Sequence, residues 1–182
     1  MRTILYGSAP MAVEWVKKTL EALPDVNLVQ GYGLTETSPL LTILNGKTHR
    51  EAIATGNTDV LKSAGKVLAG LDIKFDDATG QEVMVRGPNV TPGYLKSDEA
   101  NASAFEDGWF RTGDIGRLDS EGHLYLLDRK KDMIISGGEN VYSSEVEAAL
   151  YQHPDVIEAA VFGLPDSTYG ETVSAALVIV EG

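Results

Sequence analysis

The sequence predicts an α/β chain in two unequal parts. Residues 1–128 read as a parallel βαβ segment followed by a small antiparallel, β-barrel-like group of strands, and residues 129–182 as a small α+β lobe. Three observations predict this. A β-prone run, an amphipathic stretch and a second β-prone run succeed one another over residues 3–30. Short alternating runs separated by turn signals then fill residues 66–128. After residue 128 the pattern restarts with its own strand, helix and strands.

Taken in order, Thr3-Ile4-Leu5-Tyr6 is the first strand and stops at Gly7-Ser8-Ala9-Pro10. Ala12, Trp15, Val16, Thr19, Leu20 and Leu23 share one helical face, which Pro24 ends. Asn27-Leu28-Val29-Gln30 is the second strand and stops at Gly31-Tyr32-Gly33. A crossover of this kind is right-handed and its strands are parallel. Both glycine turns therefore leave the carboxyl ends of strands, where open α/β sheets place their ligands. Residues 45–65 are polar and without period, and read mostly as loop.

Leu71, Ile73 and Phe75 alternate, as do Val83 and Val85, with turns at Arg86-Gly87-Pro88-Asn89 and Asp119-Ser120-Glu121-Gly122. Residues 116–118 and 123–127 flank the second turn as a hairpin. Beyond a boundary or hinge at Asp128-Arg129-Lys130-Lys131-Asp132, Met133-Ile134-Ile135 is a short strand. Ser144-Glu145-Val146-Glu147 reads as a capping box, with Ser144 covering an early amide and Glu147 reaching back. The helix it starts carries Val146, Ala149 and Leu150 on one face and stops before Pro154. Two more strands, over residues 156–162 and 174–180, complete a βαβ-type unit.

Composition narrows the function. The chain has 182 residues, 43% of them hydrophobic and 23% charged, so a buried core is feasible. Fifteen Lys and Arg stand against 27 Asp and Glu, for a formal charge of −12. That argues against nucleic-acid binding through a basic face and against adhesion to anionic membrane. The absence of cysteine excludes disulfides, zinc-thiolate sites and a cysteine nucleophile, and fits a reducing compartment. No apolar run approaches bilayer length, and the N-terminal stretch is too short for a signal peptide. The reading is an acidic, cytoplasmic protein with no integral membrane segment. Gly-x-Ser-x-Gly and the P-loop pattern are both missing, and His49, His123 and His153 have no ligand spacing.

Four segments carry candidate chemistry. Gly31-Tyr32-Gly33-Leu34-Thr35-Glu36-Thr37-Ser38-Pro39 offers an aromatic for stacking, a hydroxyl for a phosphate oxygen and a carboxylate for Mg²⁺; it is also what a strand-end turn with local Thr and Ser caps looks like. In Trp109-Phe110-Arg111-Thr112-Gly113-Asp114 the aspartate can accept both hydroxyls of a ribose, or bond a turn amide. Arg129-Lys130-Lys131 is a basic patch whose arginine suits phosphate or ribose, or a solvated turn. Ser136-Gly137-Gly138 is either a hairpin tip or side-chain-free backbone past which pantetheine slides.

Taken together and in order, Gly7-Ser8-Ala9-Pro10, Gly31 to Glu36, Arg86-Gly87-Pro88 with Gly93-Tyr94, Trp109 to Asp114 and Asp128 to Glu147 resemble the adenylate-forming acyl-CoA synthetases, the superfamily of AMP-dependent synthetases and ligases. The resemblance covers essentially the whole chain. The segment from Asp132 to Tyr142 resembles the fatty-acyl and aryl-CoA ligases in particular, which implies fatty acid metabolism.

The family implies two steps: a carboxylate and Mg-ATP give an acyl-adenylate and pyrophosphate, then the thiol of CoA displaces AMP. Small-molecule carboxylic acid, ATP and CoA would be the partners, with no nucleic acid. By this resemblance Gly7, Ser8 and Ala9 line the adenine and acyl end, Tyr32 beside Gly33 lies against adenine, Thr35 touches the α-phosphate and Glu36 binds Mg²⁺. Asp114 holds the ribose hydroxyls with Arg129 assisting, Lys131 sits at the hinge, and Ser136, Gly137 and Gly138 border the CoA tunnel.

Three departures accompany the resemblance. The family's Ser/Thr/Gly-rich phosphate loop lies N-terminal to anything here, its adenylation lysine falls past Gly182, and the stretch from Phe75 to Glu82 is shorter than the usual linker. The chain thus reads as the C-terminal portion of a large AMP-binding lobe plus most of a small mobile lobe, inactive alone. An apolar face left by the cut invites self-association or a missing N-terminal lobe. The competing class is a non-catalytic nucleotide- or acyl-CoA-binding module on the same scaffold.

Overall fold

Two sheets organise the computed structural model, which describes residues 2–9, 11–76 and 81–180. The Pro10 end of the first glycine turn and residues 77–80 of the short linker lie outside the described residues. Packing divides the chain into two compact units, Met1–Thr112 with Gly116–Leu126, and Gly113–Ile115 with Leu127–Gly182.

In the first unit β1 (Thr3–Gly7), α1 (Val13–Ala22) and β2 (Asn27–Tyr32) form the expected crossover, and β1 pairs β2 in parallel from Thr3↔Asn27 to Gly7↔Gly31. Val16 on α1 and Leu28 on β2 are buried together with Leu44, Ala52 and Leu61, whereas Trp15 and Leu23 of the expected helical face stay exposed. β3 (Thr42–Leu44) runs antiparallel to β2, and β4 (Gly65–Val67) antiparallel to β3.

The remaining strands of the large sheet are β5 (Asp72–Asp76), β6 (Glu82–Arg86), β7 (Phe105–Glu106), β8 (Trp109–Leu118) and β9 (His123–Arg129), with α3 (Asp98–Ala104) before β7. The sheet order is β1-β2-β3-β4-β9-β8-β6-β5, with β7 beside β8. The barrel-like part expected from the alternating runs is not there. Among the described residues, β1 and β5 are the two ends of one open sheet. The short strands β3 and β4 extend the parallel pair sideways into the antiparallel group, where a barrel would need β5 to pair back.

Residues 45–65 are also not mostly loop. They hold α2 (Gly46–Thr55) and a short 3-10 turn, Asp59–Lys62. The helix begins because the Asn45 side chain accepts from Thr48 N at 3.0 Å, and it ends at Gly56 in the left-handed region. Its inward face carries Gly46, His49 and Ala52 rather than a leucine stripe, so hydrophobic periodicity does not reveal it.

In the second unit β10 (Ile134–Ser136), β11 (Glu139–Val141), α4 (Ser143–Leu150), β12 (Val156–Asp166) and β13 (Gly170–Ile179) build a sheet in the order β11-β10-β13-β12. The strand, helix and strand of the βαβ-type reading are present as β10, α4 and β12, but β10 and β12 are not neighbours: β13 lies between them and pairs antiparallel with both. β12 and β13 are joined by a turn in which Asp166 Oδ1 accepts from Thr168 N and Tyr169 N.

The capping box is replaced as well. Tyr142 is the N-cap residue and makes no side-chain cap, Ser144 Oγ donates to Leu127 O, and Glu147 Oε1 accepts from Val161 N at 2.9 Å. The carboxylate of Asp128 takes over the helix start, accepting from Ser143 N at 2.5 Å and from Ser143 Oγ at 2.9 Å. A carboxylate at a helix N-terminus satisfies an orphan amide and suits the positive end of the helix dipole.

Candidate functional site

Parallel pairing places two of the candidate segments side by side. Gly7 is in register with Gly31, so the Gly7-Ser8-Ala9 turn and the Gly31-Tyr32-Gly33 turn emerge together from the carboxyl end of β1 and β2. The approach demands glycine. A Cβ at Gly7 would lie 2.2 Å from Gly31 O, and one at Gly33 would lie 1.9 Å from Pro39 O. Ser8 takes the left-handed conformation, with φ 67, a strained position for a residue with a side chain. An apolar pocket of about 450 Å³ adjoins this turn, lined by Tyr6, Gly7, Ala9, Met11, Ala12, Trp15 and Thr19.

Tyr32 packs against the buried cluster of Leu41, Val85 and Phe110, which fixes its ring at the end of β2. Thr35 opens the short 3-10 turn Thr35–Thr37 and is exposed. The turn is anchored from inside, because buried Thr37 accepts from Leu34 N at 2.9 Å and donates to Leu34 O. Glu36 is half-buried on the same turn.

A second segment anchors that turn from outside. Asn89 Nδ2 donates to Thr37 O and Leu40 O, Ser38 Oγ donates to Asn89 O, and Thr91 N donates to Glu36 O at 2.8 Å. The hydroxyl of Tyr94 donates to Glu36 Oε1 at 2.7 Å. Partial burial and then this hydrogen bond push the Tyr94 phenol above its ordinary pKa. Asn89, Thr91 and Tyr94 are not among the residues expected from the sequence to act. The Gly93-Tyr94 pair marks the motif, yet a partner 58 residues away leaves no local signature.

In the second unit Asp114 is buried and receives Arg129 Nε at 2.8 Å, while the Arg129 side chain is half-exposed. Gly113, with φ 73, makes the bend before Asp114, and its carbonyl accepts from Lys130 N. Asp114 and Arg129 are thus brought together. Lys131 is exposed in a turn where Asp132 N and Met133 N both donate to Arg129 O.

Ser136-Gly137-Gly138 forms the tip of the β10–β11 hairpin, with both glycines at positive φ, and Gly137 N donates to Tyr169 O. Among the described residues no cluster of three or more His, Asp or Glu gathers as a metal site. One carboxylate is nonetheless a usual protein contribution to Mg²⁺, which keeps waters and substrate phosphates as its other ligands.

Among the described residues no helix is long and apolar enough to cross a membrane. Residues 1–95 match the model of the AMP-binding enzyme family, and residues 145–182 match that of the AMP-binding enzyme C-terminal domain. The chain is 41% identical to a 2-succinylbenzoate–CoA ligase of Bacillus licheniformis, with 98% of the chain and 37% of that protein covered. It is 38% identical to a feruloyl-CoA synthase of an Amycolatopsis species, covering 100% of the chain and 37% of that protein.

The solved structure of o-succinylbenzoate CoA synthetase from Bacillus subtilis, in complex with its acyl-adenylate intermediate, matches with a TM-score of 0.84 at 39% identity. That match covers 100% of this chain and 37% of the other. The same enzyme in complex with ATP and magnesium ion matches with a TM-score of 0.84 at 38% identity. The chain therefore spans a little over a third of the length of these relatives.

Proposed function

The chain belongs to the AMP-binding enzyme family, and on that premise we propose that it is the C-terminal portion of an ATP-dependent acyl-CoA ligase. Its reaction joins a carboxylate to the adenylyl group of ATP with release of pyrophosphate, and then moves the acyl group to the thiol of CoA with release of AMP. The observation that most supports this reading is the Gly7↔Gly31 register, which sets two glycine turns and the Thr35–Thr37 turn at one sheet end, the usual ligand position of an open α/β sheet.

In this reading Gly7, Ser8 and Ala9 border the adenine and acyl end, and Tyr32 with Gly33 lies against adenine. Thr35 donates its hydroxyl to the α-phosphate, and Glu36 supplies an oxygen to Mg²⁺ bound with the phosphates. Asp114, held by Arg129, accepts the ribose hydroxyls. Lys131 is the pivot between the two half-reactions, and Ser136, Gly137 and Gly138 border the path of CoA. When bound, a divalent cation held by Glu36 would supply charge neutralisation for the phosphates. Residues 1–128 serve as the end of the nucleotide-binding lobe and residues 129–182 as the start of the smaller one. An aromatic acid is the favoured substrate over a fatty acid, since both named relatives carry aromatic acids in their names.

Acid-dependent ATP–pyrophosphate exchange tests the proposal in an enzyme of the relatives' full length that carries these residues. Exchange stimulated by aromatic acids, and abolished by Glu36→Ala, is the expected result. Nucleotide binding without exchange under any acid would favour a non-catalytic nucleotide-binding module.

A further inference from the structure

The Tyr94–Glu36 hydrogen bond joins two segments far apart in sequence, and it is built rather than incidental. Tyr94 is held on both sides of its backbone: Tyr94 N donates to Asn101 Oδ1 at 2.6 Å, and Asn101 Nδ2 donates back to Tyr94 O at 2.9 Å. Its ring meets Phe105 edge-on at 6.2 Å between centroids. Gly93 has φ 150, and a Cβ there would lie 2.9 Å from Asn101 Oδ1, so the clamp also requires that glycine. The phenol then reaches Glu36 Oε1 at 2.7 Å, while Thr91 N fixes the Glu36 carbonyl.

We propose that Tyr94 is a positioning residue that sets the carboxylate of Glu36 for the magnesium ion accompanying ATP, an inference that rests on the reading of Glu36 given above. A glutamate side chain has three rotatable bonds and, unrestrained, spreads its carboxylate over many rotamers. One charge-assisted bond from a clamped phenol selects an orientation, and a carboxylate has lone pairs enough to take that proton and still ligate a cation. Mg²⁺ demands near-ideal octahedral geometry, so the benefit of a preset oxygen appears in how readily the metal-nucleotide binds.

The test measures acid-dependent pyrophosphate exchange against Mg²⁺ concentration in the full-length enzyme, for the wild type, Tyr94→Phe, Asn101→Ala and Glu36→Gln. Tyr94→Phe keeps the ring against Phe105 and removes only the hydroxyl. The expected result is a roughly three- to tenfold rise in the Mg²⁺ concentration for half-activation, with the rate at saturating Mg²⁺ within about twofold of wild type. Asn101→Ala moves the same quantity in the same direction, and Mn²⁺, which binds such ligands more tightly, restores part of the loss.

If Glu36→Gln shifts the Mg²⁺ dependence and Tyr94→Phe does not, the positioning role is wrong and the reading of Glu36 stands. An unshifted Mg²⁺ dependence in Glu36→Gln removes the cation role, and the proposal falls with it. A Tyr94→Phe enzyme that loses maximal rate and thermal stability at unchanged Mg²⁺ dependence would make the contact purely structural, which also overturns the proposal.

Discussion

Asp114 and Arg129 illustrate how one ion pair can hold a buried carboxylate in place. Asp114 is buried, so an unpartnered carboxylate there would be costly, and Arg129 meets that need from a half-exposed position. If Asp114 accepts the ribose hydroxyls as proposed, Asp114→Ala in the full-length enzyme is expected to weaken ATP binding by about 2–3 kcal/mol. Calorimetric titration checks it, and unchanged affinity would remove the ribose role.

His49 makes a different kind of pair. It is fully buried on α2; Nδ1 faces Asn45 O at 2.9 Å, so that nitrogen carries the proton, and Nε2 accepts from Tyr6 OH at 2.9 Å. Burial lowers the His49 pKa below its ordinary value and pushes that of Tyr6 up to about 12. The unfolded chain, with histidine near its ordinary value of about 6.5, then binds the proton more readily than the folded one. Stability should be fully present above that value and be lost as pH falls through it toward the folded pKa. Denaturant melts from about pH 7.5 to about pH 5 should show this loss, and the slope should flatten in His49→Gln. An identical slope in the variant would assign the acid sensitivity to other groups.

The start of α4 shows how an element depends on a residue outside it. Asp128, at the end of β9, holds the first amide and hydroxyl of the helix, and Ser144 closes onto Leu127 O beside it. Asp128→Ala should cost about 1–2 kcal/mol, the usual worth of a lost helix cap, whereas Ser144→Ala should cost less because no amide loses its acceptor. Denaturant melts followed by far-ultraviolet circular dichroism measure both. Equal losses would mean that the carboxylate does not support the helix start. The local sequence misleads here because Ser144 and Glu147 have capping-box spacing, yet both side chains are claimed by β9 and β12. In α2 the reverse occurs: a polar stretch folds as a helix because Asn45 caps it and His49 occupies its buried face.

For the molecule as a whole, catalysis by these 182 residues alone is expected to be undetectable. Adenylation needs donors around the β- and γ-phosphates, a cation, and a positive group on the developing charge. In the proposed reading Thr35 and Glu36 supply one hydroxyl and one cation ligand, but the sequence between Met1 and Gly182 holds neither the Ser/Thr/Gly-rich loop nor the lysine that the resemblance calls for. Losing even one preorganised donor typically costs a hundredfold or more, so losing both groups should abolish exchange. A pyrophosphate-exchange assay on the isolated chain checks this. Exchange that depends on added acid and vanishes in Glu36→Ala would mean that the chain rebuilds the missing groups, as an oligomer would.

The parallel crossover, the two glycine turns at its carboxyl end and the hairpin at Gly137-Gly138 were all legible in the residues. Each is written locally, as a period of apolar positions or as a backbone conformation that glycine favours. Tertiary structure decided the rest. An open sheet replaced a barrel because β1 and β5 end the same sheet. A carboxylate 15 residues upstream, not the local serine, caps α4. A tyrosine 58 residues downstream takes hold of Glu36. Periodicity and turn chemistry act within a few residues, whereas which carboxylate meets which donor depends on strand order and register, and these are fixed only when the whole chain packs.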